Sequence, residues 1–158
     1  MNFRDEHTNI DFAIRPYHPD DAIEVADLWY RAGKAAYTFI PLWQSFSLEL
    51  AREVFVRDIA ARFQIWVGLE SEKIVAYLAM NGSCMERLYV DPEYQRRGWG
   101  KRLFKLATEI SPTGFTLFTH QENWPARALY EKLGCKVLQY GISPPPENIP
   151  DIEYEWRP

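Results

Sequence analysis

The chain has 158 residues, of which 47% are hydrophobic and 15% aromatic, and its formal net charge is −4. This length and composition predict a single domain over 1–158 and exclude a disordered chain. The acidic balance argues against a nucleic-acid-binding protein. The first ten residues lack the apolar core of a signal peptide, and no apolar run is long enough to cross a bilayer. We therefore expect a cytoplasmic protein with neither nucleic acid nor membrane as a partner.

The two cysteines, Cys84 and Cys135, have neither the spacing of a disulfide framework nor that of a metal site. We expect no bound metal. An acyl-cysteine intermediate on Cys84 would need a neighbouring histidine to activate the thiol, and the sequence places none beside it. The better interpretation of Cys84 is a small buried hydrophobic residue.

The first part of the chain alternates one strand with helical segments. Residues 11–17 alternate apolar and polar side chains, which is typical of a strand. The next segment starts with Pro19 and two aspartates, repeats apolar residues at helical spacing, and is predicted to end at Gly33. A second helical region is predicted over 37–61, with an interruption near Pro41.

The middle of the chain predicts a run of strands followed by a helix. Strands are expected over 63–69, 73–80 and 84–90, and the turn-like connections between them predict antiparallel hairpins. The apolar stripe of residues 98–110 predicts a helix, and residues 115–120 predict another strand.

The last third begins with a helix that carries its own start and stop signals. Asn123 is a good N-cap, Pro125 lies in the first turn, and Gly134 stands where a helix commonly ends. Two strands, within 135–140 and 151–156, are joined by a proline-rich loop. The element order predicts a mixed α/β fold with a strand–helix–strand–helix–strand core.

Positive charge is concentrated at the predicted junction between strand 84–90 and helix 98–110. The basic residues of this stretch are Arg87, Arg96, Arg97, Lys101, Arg102 and Lys105. One concentrated basic stretch in an acidic protein favours a local anionic ligand over a nucleic-acid track. A solvated basic helix face is the alternative interpretation.

The sequence VDPEYQRRGWG at this junction has the chemistry of a phosphate site. Backbone N–H groups and the helix dipole favour an anion at a helix N-terminus. Gly98 and Gly100 would allow the backbone to approach a pyrophosphate closely. Arg96, Arg97 or Lys101 could add charge-assisted hydrogen bonds.

Two common glycine-rich phosphate motifs do not match. A P-loop needs a glycine at Gln95 and a hydroxyl at Arg102. A Rossmann fingerprint needs its third glycine at Leu103.

QRRGWG after VDP resembles the acetyl-CoA motif of the GCN5-related N-acetyltransferase (GNAT) family, Q/R-x-x-G-x-G/A. The segment NWPARALYEKLG, over 123–134, resembles the family's second signature, N-x-x-A-x-x-x-Y-x-x-x-G. The resemblance implies a mixed, mostly antiparallel central sheet of six to seven strands flanked by about four helices. It also implies an N-acetyltransferase that moves the acetyl group of acetyl-CoA to a primary amine. Cys135 departs from the phenylalanine common after the glycine, which concerns local packing.

The resemblance also implies where acetyl-CoA binds. The pantetheine arm is expected to hydrogen-bond the backbone of strand 88–90, where that strand splays from the next one, and the pyrophosphate is expected at the glycine motif. The implied cofactor-binding residues are Leu88, Tyr89, Val90, Gln95, Arg96, Arg97, Gly98, Trp99, Gly100, Lys101, Asn123 and Tyr130.

Two catalytic roles follow from the same resemblance. Tyr130 occupies the family position whose phenol protonates the coenzyme A sulfur, although helical periodicity also explains it as a core aromatic. Glu86 is the candidate base, and strand alternation places it on the face of Leu88 and Val90. His120 competes with it because an imidazole titrates near neutral pH. The base is therefore Glu86, His120 or a water chain.

The acceptor site is expected between the helical segment 35–43 and the acidic C-terminal segment 144–156. Tyr37, Phe39 and Trp43 could form an aromatic wall for an amine, or simply the apolar side of two helices. We expect an amine-bearing small molecule or peptide to attack acetyl-CoA directly in a ternary complex, on a monomer or homodimer. The alternative function is a catalytically silent acyl-CoA sensor or protein-interaction module on the same fold.

Overall fold

The computed structural model describes residues 1–5 and 10–158, and it describes side chains for residues 1, 2 and 11–158. The strands of this part of the chain are β1 (Asn2–Asp5), β2 (Ile10–Pro16), β3 (Gln64–Glu70), β4 (Lys73–Asn81), β5 (Cys84–Val90), β6 (Phe115–His120), β7 (Lys136–Ile142) and β8 (Pro150–Trp156).

Within the described residues these eight strands form one sheet, in the order β1-β2-β3-β4-β5-β6-β8-β7. Neighbouring strands pair antiparallel except β5 and β6, which are parallel. The predicted mixed, mostly antiparallel α/β class is confirmed. The short N-terminal strand β1 takes the sheet beyond the six to seven strands expected.

Helices cover both faces of the sheet. The α-helices of the described chain are α1 (Ala22–Ala36), α2 (Pro41–Ser45), α3 (Leu48–Val54), α4 (Trp99–Ile110) and α5 (Trp124–Lys132). A π-helical segment, Phe55–Ala60, continues α3. Residues of α1, α2 and α3 share one buried apolar cluster, and residues of α4 and α5 share the other. The sheet therefore lies between two apolar layers.

Helix α1 continues past the glycine that was expected to end it. A Cβ atom at Gly33 would lie 2.2 Å from Cζ3 of Trp43. The Trp43 ring packs edge-on against Trp29, with ring centroids 5.4 Å apart. The predicted helix end at Gly33 is wrong, because this glycine makes room for an indole from α2 and the helix ends at Ala36.

The parallel pair β5–β6 is joined only at its beginning. Among the described residues, Cys84 pairs with Thr116 and Met85 with Leu117, and no later pair follows. Beyond this point β5 stays paired with β4, while β6 stays paired with β8 as far as His120. The sheet therefore opens toward the C-terminal ends of β5 and β6, and we call this opening the wedge.

A β-bulge interrupts β5 at the start of the wedge. Met85 and Arg87 have register partners on β4, whereas Glu86 is the extra residue. Met85 and Leu88 both contact the cluster beneath α4, which strict alternation would not allow. The expectation that Glu86 shares a face with Leu88 and Val90 is wrong, because the bulge shifts the alternation.

Candidate active site

The glycine motif forms a tight loop that ends at the start of α4. Arg96 has a φ of 62° and Gly98 a φ of 83°, so both lie in the left-handed region. Gly98 is the N-cap of α4, and none of the described side chains caps the first turn. The first N–H groups of α4 therefore have no intrahelical partner, and a left-handed loop before a helix is a backbone anion site.

Two predicted phosphate-binding residues are tied to β3 by one carboxylate. The Arg97 Nη1 donates to Glu70 Oε2 at 2.7 Å, and the Trp99 Nε1 donates to Glu70 Oε1 at 2.8 Å. The Arg97 guanidinium also lies 4.9 Å from the Tyr94 ring centroid. The Trp99 side chain is buried, so this residue faces a ligand with its backbone only. Glu70 was not found from the sequence, because nothing local marks it as a partner of the motif.

The remaining side chains of the motif are more open. Gln95, Arg96 and Lys101 are exposed at the start of α4. A Cβ at Gly100 would lie 2.9 Å from the Leu129 Cδ2, so this glycine allows α4 to pack closely against α5. The packing of two helices is a role that the motif alone did not predict for Gly100.

Tyr130 lies on α5 and faces the core cluster beneath α4. Its side chain is buried, and its ring contacts those of Phe104 and Tyr154 at centroid distances of 6.4 and 6.2 Å. Burial, with smaller contributions from Tyr89 and Cys135, raises the pKa of Tyr130. The phenol is therefore protonated at neutral pH, as a proton donor must be.

Asn123 starts α5 as predicted. Its Oδ1 accepts from the Ala126 N–H at 3.4 Å, and its Nδ2 donates to Thr119 Oγ1 at 3.4 Å. Asn123 thus links the first turn of α5 to β6. This link helps to set the position of the helix that carries Tyr130.

Tyrosines connect the end of α1 with β4 and β5 on the face of the sheet that α1 covers. The hydroxyls of Tyr37 and Tyr89 lie 3.0 Å apart. The Tyr89 ring stacks on Tyr77, with centroids 5.6 Å apart. Burial raises the pKa of Tyr37 and of Tyr77 well above the ordinary value, so both phenols are neutral.

Arg87 brings a positive charge to this tyrosine group. Its Nη1 donates to the backbone oxygen of Glu86 at 2.8 Å, while its Nε is buried without a hydrogen-bond partner in the described part of the chain. Its charge also helps to lower the pKa of Glu147. The positive charge of Arg87 therefore helps to keep the Glu147 carboxylate ionised.

His120, the last residue of β6, meets the loop between β7 and β8. Its Nε2 lies 3.2 Å from Glu147 Oε2. The rings of Tyr37 and Phe39 approach the imidazole edge-on, with centroids at 5.0 and 5.9 Å. The two segments expected to form the acceptor site thus meet at His120. Trp43, the third aromatic residue, packs against Trp29, and its side chain also donates a hydrogen bond to Glu147.

Glu86 and Cys84 lie together near the closed end of the wedge. Burial, and then the nearby Glu86 carboxylate, raises the pKa of Cys84 to about 11. The thiol is therefore protonated at neutral pH and is a poor nucleophile. Among the described residues, no group of three or more His, Cys, Asp or Glu side chains could hold a metal ion. No helix of that part of the chain has the length and apolar character needed to span a bilayer.

Comparisons with known proteins show similarity to one family of acetyltransferases. Residues 61–136 match the family model of the acetyltransferase (GNAT) domain. Peptidyl-lysine N-acetyltransferase YjaB of Salmonella typhimurium is 27% identical over 125 residues, which cover 78% of this chain and 83% of YjaB. Peptidyl-lysine N-acetyltransferase YiaC of Escherichia coli is 26% identical over 128 residues, covering 79% of this chain and 84% of YiaC.

Solved structures share the fold. Apo YjaB from Escherichia coli superposes with a TM-score of 0.74 at 23% identity, over 92% of this chain and 97% of that protein. The structure of yncA from Salmonella typhimurium with its cofactor acetyl-CoA superposes with a TM-score of 0.65 at 14% identity, over 92% and 93% of the two chains. The matched domain and the relatives make this chain similar to the GNAT acetyltransferases, and the solved structures share its fold.

Proposed function

We propose that this protein transfers the acetyl group of acetyl-CoA to a primary amine, by direct attack of the amine in a ternary complex. The observation that carries this proposal is the wedge between β5 and β6. The uncapped start of α4 and the buried Tyr130 belong to the elements that border it.

The backbone around the wedge fits acetyl-CoA. Beyond Met85, the edge of β5 that faces β6 has no strand partner in the described structure. Asp91 N donates to Val75 O on β4, and by alternation Tyr89 also bonds to β4. Leu88 and Val90 therefore turn their N–H and C=O groups to the open edge, where these groups can pair with an extended amide-bearing arm. The N–H groups at the start of α4, with Arg96 and Lys101 beside them, suit a pyrophosphate.

When bound, acetyl-CoA supplies an activated acetyl thioester, and the residues of the wedge supply proton transfer. An alkylammonium acceptor has a pKa of about 10.4, so it needs a proton acceptor at neutral pH. Glu86 and His120 both border the wedge and are the candidates for this role. Tyr130 is the candidate donor to the departing thiolate. Because the Cys84 thiol is protonated, direct attack is favoured over an acyl-cysteine route.

We propose the ε-amino group of a lysine in a peptide as the acceptor. The curated relatives described above are named peptidyl-lysine N-acetyltransferases, and they cover most of this chain. The rings of Tyr37 and Phe39 lie beside His120, and the ammonium group of a lysine can contact an aromatic face there.

Calorimetric titration with acetyl-CoA tests the cofactor site. Gly98→Glu should abolish binding, because it adds a negative side chain in a left-handed position at the anion site. The matched control is Gly82→Glu, which also has a positive φ and where a Cβ atom would meet no described heavy atom within 4 Å. Equal binding by the two variants would refute the proposed site.

A thiol-release assay with lysine peptides tests the acid role of Tyr130. Tyr130→Phe should lower turnover by about 100-fold or more while acetyl-CoA affinity is kept. Tyr140→Phe is the control, because Tyr140 is exposed on β7. Unchanged turnover in Tyr130→Phe would remove the residue from this role, and ping-pong kinetics would contradict direct attack.

A further inference from the structure

We propose that His120 and Glu147 act as a unit, with His120 as the base that takes the proton of the acceptor amine and Glu147 as the residue that orients it. The inference rests on the proposed acetyl transfer and names the proton acceptor of that site.

The geometry of the pair suits an oriented imidazole. The Nε2 of His120 is 3.2 Å from Glu147 Oε2, and the side chains are only 13% and 26% exposed. The loop that carries Glu147 is held closed, because Ser143 N donates to Ile149 O at 2.8 Å and Ile149 N donates to Ser143 Oγ at 3.0 Å. A carboxylate fixed beside one ring nitrogen selects the tautomer that carries its proton there.

The other ring nitrogen is then the proton acceptor. The Nδ1 of His120 is buried and has no hydrogen-bond partner among the described residues. A purely structural histidine in a shielded place is expected to satisfy both nitrogens, since a buried polar atom without a partner costs about 1–3 kcal/mol. An unpaired lone pair can accept a proton once the acceptor amine, or one water molecule between them, reaches it.

The position of the pair favours it over Glu86. Glu86 directly follows Met85, the last residue of β5 that pairs with β6, so it lies at the closed end of the wedge. His120 is the final residue of β6 and lies at the open end, where α5 with Tyr130 follows. Tyr37 links the two positions, because its ring contacts His120 and its hydroxyl interacts electrostatically with Tyr130.

Charged and titratable groups surround the pair on several elements. Contact with His120 is the largest cause that lowers the pKa of Glu147, and Arg87 on β5 adds to it. Asp151 on β8 is the register partner of His120, and burial raises its pKa. Tyr37 at the end of α1 presents a neutral ring. Glu147 is thus held ionised beside the imidazole, which stabilises the protonated ring after proton transfer.

Each proton in the proposed reaction has a donor and an acceptor. The ammonium group gives one proton to His120 Nδ1, directly or through one water molecule, and the neutral nitrogen attacks the thioester carbonyl carbon. The C–N bond forms, the C–S bond breaks, and the thiolate takes a proton from Tyr130. The second proton of the attacking nitrogen replaces the one lost from Tyr130, and the imidazolium of His120 releases its proton to solvent. The products are the amide, coenzyme A and one proton.

Two substitutions test the inference: one removes the basic nitrogen of His120, the other removes the charge of Glu147, and both keep a hydrogen bond between the two positions. His120→Gln can still donate to Glu147, and Glu147→Gln can still accept from His120. We expect His120→Gln to lower kcat for a lysine peptide by about 100-fold, with KM and acetyl-CoA affinity nearly unchanged. Glu122→Gln, at an exposed position, is the control.

The pH dependence separates catalysis from structure. In Glu147→Gln the acidic limb of the kcat/KM profile should move to lower pH, because no carboxylate stabilises the protonated ring. A peptide in which thialysine, with a less basic amine, replaces lysine should recover part of the activity lost in His120→Gln. Equal losses for both amines, an unmoved limb, or a melting temperature lowered in step with activity would overturn the assignment.

The same variants are scored on the slow hydrolysis of acetyl-CoA, in which water replaces the amine. If wild-type protein binds acetyl-CoA but acetylates no lysine peptide, the proposed acceptor fails and the hydrolysis assay still tests the dyad. Hydrolysis should fall in His120→Gln and stay unchanged in Glu122→Gln. Hydrolysis unaffected by His120→Gln would refute His120 as the base.

Discussion

Glu70 and Trp99 are joined by a buried hydrogen bond, in which the indole Nε1 donates to Oε1 at 2.8 Å. Glu70 is only 5% exposed, and its other oxygen accepts from Arg97. The end of β3 thereby holds both the glycine-motif loop and the first residue of α4. The proposed anion site is therefore shaped by a residue that does not have to contact the ligand.

Glu70→Ala should lower the free energy of unfolding by about 1–3 kcal/mol, because it leaves the buried Trp99 N–H without a partner. It should also weaken acetyl-CoA binding, since the loop before α4 is no longer held. Urea denaturation and calorimetric titration measure the two effects. The control is Glu93→Ala, at an exposed position near the same loop, which should change stability by less than about 0.5 kcal/mol. Unaltered binding in Glu70→Ala would show that Glu70 has no role in shaping the site.

Gly98→Ala and Gly134→Ala should separate backbone strain from ligand binding. Their φ angles are 83° and 95°, so each alanine should destabilise the fold by about 1–2 kcal/mol. Only Gly98 lies at the start of α4, so only Gly98→Ala should reduce acetyl-CoA affinity. The measurements are denaturation curves and calorimetry on both variants, and a similar loss of affinity in Gly134→Ala would contradict the assignment.

Gly100→Ala should be coupled to Leu129. In the wild-type background the new Cβ would lie 2.9 Å from Leu129 Cδ2, and we expect a cost of about 1 kcal/mol from the displaced side chain. In a Leu129→Ala background the same change should stabilise the protein by about 0.5 kcal/mol, because alanine reduces the entropy of the unfolded chain. A double-mutant cycle measured by urea denaturation checks the sign change. Strict additivity of the two substitutions would show that helix packing does not require glycine here.

The buried Cys135 thiol and the half-buried Cys84 thiol predict how stability depends on pH. Burial raises the pKa of Cys135 to about 12, and burial with Glu86 raises that of Cys84 to about 11. Unfolded cysteine ionises near pH 8.5, so the contribution of each thiol is fully present below about pH 8.5 and is lost as pH rises toward 11 and 12.

We therefore expect the free energy of unfolding to fall between pH 8 and pH 10. In Cys135→Ala the fall should be smaller by about 2 kcal/mol. Urea denaturation at pH 8 and at pH 10 gives the fall in the free energy of unfolding for each protein separately. The pH-independent loss of stability caused by removing the Cys135 side chain therefore cancels. Parallel curves for the two proteins would show that Cys135 does not contribute.

Local patterns in the sequence determined the order of the elements and the likeness to a family. The alternation of residues 11–17, the N-cap at Asn123 and the turn glycine at Gly134 act between residues close in the chain. Such signals arise from backbone sterics and hydrogen bonds over a few residues, so they can be read without a structure. The glycine motif before α4 belongs to the same class.

Only the tertiary structure decided which distant side chains meet. The bulge at Glu86 depends on register with β4, and the pairing of His120 with Glu147 depends on how the β7–β8 loop folds back. The sequence predicts a helix end at Gly33, whereas in the structure this glycine leaves space for the Trp43 ring. These contacts join residues far apart in the chain, and packing and strand register determine them. Short-range propensity carries no information about either. The sequence therefore determined the likeness to a family and the proposed cofactor motif, and the fold determined the proposed proton acceptor.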